Sequence, residues 1–205
     1  MSRTAYYQEL KKLARQVRTD FSLTTPRVML SDLRRIYKHY EIRIEYCDRR
    51  LGGIRGAYFN DETGPWVLVD KALPKEQRIF TLAHELKHHL TGDVIGATHS
   101  TGGGDPVEIG AELFAAELIY PEDDFAADLV SQGVVKGMCS AQDIVRLKAC
   151  TEATLSYTSL GKRAEFLGFA TPGMFAQTRW HKVRDDLLGE PFYKRLARRR
   201  NATAK

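Results

Sequence analysis

Apolar positions recur every three to four residues over 6–17 and 30–40, the period of helices with one buried face. The Thr24-Thr25-Pro26 turn separates the two. Over 42–46 the pattern switches to alternation, placing Ile42, Ile44 and Tyr46 on one side of a strand. Gly52-Gly53 and Glu62-Thr63-Gly64-Pro65 punctuate two further strands, at 54–60 and 66–69. Helical period returns over 78–90, where Ile79, Phe80, Leu82, Ala83, Leu86 and Leu90 supply the apolar face. Pro74 suits the first turn of this helix and Gly92 its C-terminal cap.

The next segment, 105–121, is apolar almost all round, which predicts a helix buried on more than one side. Asp105 can cap it, Pro106 fits its first turn, and Pro121 marks its end. Ala111 and Ala115 would let its backbone approach a neighbour closely. Two more helices follow, at 140–149 with Ser140 as N-cap and Asp143 completing the capping pattern, and at 154–166 ending near Gly168. The expected fold class is α+β: a small antiparallel sheet packed on the 78–90 helix and on a second, Glu-bearing helix, then a helical C-terminal region. Residues 66–70 are the expected open edge of that sheet. The expected division is 1–125 for the sheet-bearing domain, 126–178 for a helical subdomain, and 179–205 for a basic tail.

Composition changes this picture little. Hydrophobic residues make up 43% of the 205 and charged residues 28%, as in an ordinary globular protein. No apolar run reaches membrane-spanning length, and residues 1–10 lack the apolar core of a signal peptide. Cys47, Cys139 and Cys150 form no C-x-x-C pair and read as reduced thiols, so the expected location is the cytoplasm. Charge is uneven: residues 179–205 carry nine Lys or Arg against three Asp or Glu, which exceeds the net +5 of the whole chain. Arg198-Arg199-Arg200 reads as a solvated run. Contact of this run, or of the two short helices, with nucleic acid is the less favoured reading.

Chemistry enters with His84-Glu85-Leu86-Lys87-His88. Residues four apart share a helix face, so two imidazoles can close on one metal ion. Glu85 is displaced sideways, where a carboxylate can take a proton from water without competing for the metal. This is the H-E-x-x-H arrangement of zinc-dependent peptidases. A third ligand is needed, and the metzincin solution fails because Thr91 and Val94 stand where a Gly and a His would follow. Glu108 and Glu112 share a face of the buried 105–121 helix and are both candidates. Asp105 and Glu108 also have capping-box spacing, and Glu112 could instead orient a ligand imidazole, so residue chemistry leaves the choice open.

The segment Arg78-Ile79-Phe80-Thr81-Leu82-Ala83-His84-Glu85-Leu86-Lys87-His88-His89-Leu90, with Glu108-x-x-Ala111-x-x-Phe114-Ala115-Ala116-Glu117-Leu118-x-x-Pro121, resembles the ImmA/IrrE family of bacterial metallopeptidases. The strands upstream, Gly56 to Asn60 and Val67 to Asp70, extend the resemblance to about residues 54–121. By position it implies His84, His88 and Glu108 as ligands and Glu85 as catalytic base. Two departures stand out: the family often has Gly where Lys87 stands and Asn where Glu112 stands. Lys87 is expected to point to solvent. The resemblance also implies a protein substrate, a helix-turn-helix repressor cut in stress response or mobile-element control.

The implied cofactor is Zn²⁺, with Mn²⁺ compatible with the same donors. Negative charge developing on the scissile carbonyl needs a further donor. Tyr58, His99, Tyr120 and His181 are candidates, whereas His89 lies about 100° around the helix from His88 and is not expected to be a ligand. Two other readings use the same fold. One is a non-catalytic regulator that binds a repressor or DNA, which would not need Glu85. The other is a structural zinc domain, which would need cysteines near the motif.

Overall fold

The computed structural model describes residues 2–48, 55–93 and 105–189, and no helix among them is long and apolar enough to cross a membrane. By its contacts the chain divides into two compact units, Met1–Phe125 with Thr151–Ser156, and Ala126–Cys150 with Tyr157–Lys205.

In the first unit, helix α1 (Arg3–Asp20) begins where Ser2 Oγ accepts from the Ala5 amide. Its Leu10, Ala14 and Val17 form a buried row at helical spacing. Helix α2 (Leu30–His39) follows, then strands β1 (Arg43–Cys47), β2 (Gly56–Asp61) and β3 (Gly64–Asp70), and helices α3 (Lys75–Thr91) and α4 (Pro106–Ile119). Helix α4 packs on α1 along one side and on α3 along another. Burial on two sides accounts for its nearly continuous apolar surface. At Gly110 a β-carbon would stand 2.7 Å from Leu10 Cδ1 and 3.1 Å from Tyr6 Cε1, so α1 comes this close only over a glycine. The end of α4 is held by basic residues of α1. Arg18 Nη1 donates to the carbonyls of Leu118 and Ile119 at 2.8 and 3.2 Å, satisfying terminal acceptors of the helix. Arg15 pairs with the fully buried Glu117 at 2.7 Å.

The fold is α+β with a small sheet under the 75–91 helix, as the pattern predicts. Strand order is β1-β3-β2, with β3 antiparallel to β2 and parallel to β1. The sheet is therefore mixed, because β2 itself supplies the return path that lets β1 and β3 run in the same direction. Residues 66–70 are not an open edge: Trp66 is opposite both Phe59 and Arg43, and β3 is bonded on both sides. Among the described residues β2 pairs with β3 alone, so the open edge beside α3 belongs to β2. Val67 and Val69 are buried in this sheet, and Tyr37 Oη of α2 donates to the Leu82 carbonyl at 2.7 Å. These contacts hold α3 in place.

The remaining helices are α5 (Glu122–Ser131), α6 (Ala141–Thr151), α7 (Tyr157–Phe166) and α8 (Trp180–Leu188). The apolar pattern had not singled out α5, which starts directly after Pro121 with three acidic residues in its first turn. Ser140 and Asp143 cap α6 reciprocally, with N–H to side-chain distances of 2.9 and 3.3 Å. Helix α7 starts at Tyr157 and not at 154, because residues 151–156 join the first unit, where the Thr154 amide donates to the Pro26 carbonyl at 3.1 Å. Part of the expected tail, 180–188, is helix α8, whose Trp180 stacks on Tyr157 at 5.7 Å. The rest of that tail, including Arg198-Arg199-Arg200, lies outside the described residues.

Candidate metal centre

One turn of α3 brings His84 Nε2 and His88 Nε2 to 3.3 Å from each other. Glu108, in the first turn of α4, places Oε2 3.2 Å from His84 Nε2 and Oε1 3.7 Å from His88 Nε2. The N-cap role at this helix start falls to Asp105, whose Oδ1 accepts from the Val107 amide at 2.9 Å. Two ligands about 2.1 Å from a tetrahedrally bound metal stand about 3.4 Å apart, so the three side chains have the spacing that such an ion demands. Candidate ligand atoms of all three lie within 4.8 Å of one another, and this group could hold a metal ion. Glu112, the other candidate, is exposed one turn further along α4 and contributes negative potential at His84.

Electrostatics favour a cation between these groups. Burial works against charge on His84, but its hydrogen bond to Glu108 and the charges of Glu85, Glu108 and Glu112 outweigh it and raise its pKa. Burial and the neighbouring His84 hold His88 well below the ordinary imidazole value, hence neutral, as a ligand must be. Glu85 is 4% exposed, and burial pushes its carboxyl up to about 7, with Glu108 acting in the same direction and His84 and the Tyr58 amide against it. Its Oε2 has no hydrogen-bond partner among the described residues, although it is buried. An orphaned carboxylate oxygen beside a converging donor set fits a site where water and a cation belong.

The far nitrogen of His88 is also held. Gly92 ends α3 in the left-handed region, at φ +66°, and the Asp93 amide returns to the His88 carbonyl at 3.0 Å. That turn carries the Asp93 carboxylate back over the helix end, where Oδ2 lies 3.0 Å from His88 Nδ1, 2.7 Å from Thr91 Oγ1 and 2.6 Å from Lys87 Nζ. Burial alone would raise the Asp93 pKa, but these three donors lower it, so the group is an anion. A proton on Nδ1 facing Asp93 leaves the Nε2 lone pair facing His84 and Glu108. Lys87 does not point to solvent: it is fully buried, because its ammonium finds Asp93 and, at 3.2 Å, the Val107 carbonyl. Neither Lys87 nor Asp93 is marked as part of the site by the sequence, because the partners of Lys87 come from separate segments, the turn after Gly92 and the start of α4.

The candidate donors are scattered. Tyr58 of β2 is close: its amide bonds the Glu85 carboxylate and its hydroxyl meets His89 Nδ1 at 3.1 Å. Gly56 makes that approach possible, since a β-carbon there would collide with Thr81 Cγ2. His89 is half-buried against Tyr58 and is not among the grouped ligands. Tyr120 is not brought to the site: twelve residues past Glu108, it sits about 18 Å along the helix axis, packed edge-on against Phe125. His99 lies outside the described residues, and His181 is exposed on α8 in the second unit.

A mixed sheet beneath an H-E-x-x-H helix, with an acidic residue supplied by the next helix, defines the class of metal-dependent peptidases. Residues 37–135, just under half of the chain, match the family model Peptidase_M78, the IrrE N-terminal-like domain, and this match supports the resemblance to the ImmA/IrrE family. Peptidase activity is what the match implies. No curated protein matches the chain.

Proposed function

We propose that the protein is a zinc-dependent endopeptidase in which His84, His88 and Glu108 hold the metal and Glu85 is the general base. The observation that carries this reading is the convergence of three ligand side chains from two helices beside a buried carboxyl whose Oε2 is unpartnered. Bound there, zinc would polarise the scissile carbonyl and make a water molecule nucleophilic near neutral pH. Glu85 takes the proton of the attacking water and returns it to the leaving amine, a role suited to a buried carboxyl beside the ligands with an oxygen left unbonded among the described residues. The open edge of β2 receives an extended substrate segment as an added strand, beside the Tyr58 amide that fixes Glu85.

The repressor substrate rests on the family resemblance, and the cytoplasmic location on the free cysteines and the absence of a spanning helix among the described residues. Manganese is the alternative metal for this donor set. Elemental mass spectrometry of wild type and Glu108→Ala tests the site: about one zinc per wild-type chain and sharp loss in the variant are expected. Equal zinc in both would remove Glu108 from the ligand set. Incubation of the zinc-loaded enzyme with helix-turn-helix repressors from the same genome, read by mass of the fragments, tests the substrate. Intact repressors in every case would leave only the general peptidase assignment.

A further inference from the structure

Lys87 is the only lysine in α3 beyond the first residue, and it is fully buried. A buried ammonium is costly unless its protons are matched, and here two partners match it at two different places. One is Asp93 Oδ2 at 2.6 Å, the oxygen that also meets His88 Nδ1. The other is the carbonyl of Val107 at 3.2 Å, one residue before Glu108 in the first turn of α4. Lys87 therefore bonds both the carboxylate that meets His88 and the residue that precedes Glu108.

We infer that Lys87 is a positioning residue for the metal centre, a strut that fixes the spacing between His88 and Glu108. At one end it clamps the Asp93 carboxylate on His88 Nδ1, which keeps the imidazole in the orientation that turns Nε2 toward the metal. At the other it holds the start of α4 against α3, which sets the depth at which the Glu108 carboxylate enters. A salt bridge serving stability alone would not need both contacts. Met at position 87, one atom shorter, fills most of the same space, and the partly exposed Asp93 keeps His88 and Thr91 as partners when the ammonium is removed.

The inference rests on the metal-site reading, so the experiment separates the two. Zinc affinity is measured by competition with a chromophoric chelator for wild type, Lys87→Met, Asp93→Asn and the double variant. Cobalt-loaded samples give visible spectra, and metal-free samples give thermal stability. Loss of a partner that orients a metal-bound imidazole weakens affinity roughly 10–100-fold, and that loss is expected in each single variant. The double variant should fall no further than Lys87→Met, because the Asp93 contact is common to both changes while the Val107 contact is lost with Lys87 alone. The cobalt spectrum of Lys87→Met should shift while its metal-free melting temperature stays close to wild type. Zinc affinity and cobalt spectrum unchanged in Lys87→Met would overturn the inference alone, whatever its stability. Should Lys87→Met not fold, Lys87→Gln, which keeps an N–H donor one atom shorter, carries the same two outcomes. A wild type that takes up no zinc would overturn the metal-site reading and the inference with it.

Discussion

Replacing Glu85 by Gln should make the metal-free protein more stable at pH 8 while ending its activity. Burial holds this carboxyl up to about 7 in the folded chain, against an ordinary 4.5. The folded state therefore binds the proton more tightly than the unfolded state. The contribution to stability is complete below about 4.5 and is lost as pH rises through about 7. Full loss corresponds to about 3 kcal/mol at pH 8, at roughly 1.4 kcal/mol per tenfold change in proton affinity. Gln removes the charge but leaves a buried amide with an incompletely bonded end, which costs about 1 kcal/mol. The net gain at pH 8 is thus about 2 kcal/mol, or roughly 4–8 °C in melting temperature for a chain of this size. At pH 5 the native carboxyl is already protonated and the gain should shrink to near zero. Thermal unfolding of metal-stripped wild type and Glu85→Gln at both pH values measures it. No gain at pH 8, or an equal gain at pH 5, would refute the argument that burial of a charged Glu85 destabilises this fold. The zinc-loaded variant should retain its metal and lose peptide cleavage by a factor of about 10² or more.

Gly56→Ala should push β2 away from α3, since its β-carbon meets Thr81 Cγ2 and lies 3.3 Å from Glu85 Oε1. A stability loss of about 1–3 kcal/mol in urea titration, with a larger fractional loss of kcat than of zinc affinity, is expected. Tyr120→Phe should leave kcat/KM within about twofold of wild type, because the hydroxyl lies at the opposite end of α4 from Glu108; a loss of about a hundredfold would restore Tyr120 as a transition-state donor. Arg15→Met should remove the cation paired with the fully buried Glu117 carboxylate, which also accepts from the Glu122 amide at 3.0 Å, lowering stability by about 2–4 kcal/mol at pH 7. Urea titration measures the deficit, and a loss below about 1 kcal/mol would show that the pair contributes little to this fold.

The legible parts of this protein are those written in local periodicity. The 3.6-residue pattern of Ile79, Leu82, Ala83 and Leu86 and the all-round apolar surface of 106–119 specify their helices, because burial on one or two sides leaves a direct trace in the sequence. The histidine pair was equally legible, since four residues on a helix fix two side chains to one face. The order of the strands was not. Neither the alternation of β1 nor the sequence of β2 says which strand lies in the middle, and which becomes the edge depends on where the chain re-enters the sheet. Helix α5 is hidden because it starts directly after Pro121 with Glu122, Asp123 and Asp124, which read as the polar end of the preceding helix.

Lys87 shows why the surroundings of a site are harder to read than its ligands. A lysine in an amphipathic helix ordinarily reaches water, and nothing within α3 says otherwise. Its burial depends on Gly92, which turns the chain in the left-handed region and returns Asp93 to the helix end, and on Val107, which arrives from a separate helix. Three segments must meet before the ammonium has partners, so no window of sequence contains the signal. The same convergence makes the pair useful. Glu85 and Lys87, two residues apart and both buried, have opposite fates: the lysine is matched by Asp93, whereas one oxygen of the glutamate has no partner among the described residues. Had the fold been selected for stability alone, Glu85 is the position where an apolar residue would serve best. A buried carboxyl with an oxygen left unbonded among the described residues, beside His84, is what the proposed role of Glu85 as a proton acceptor requires.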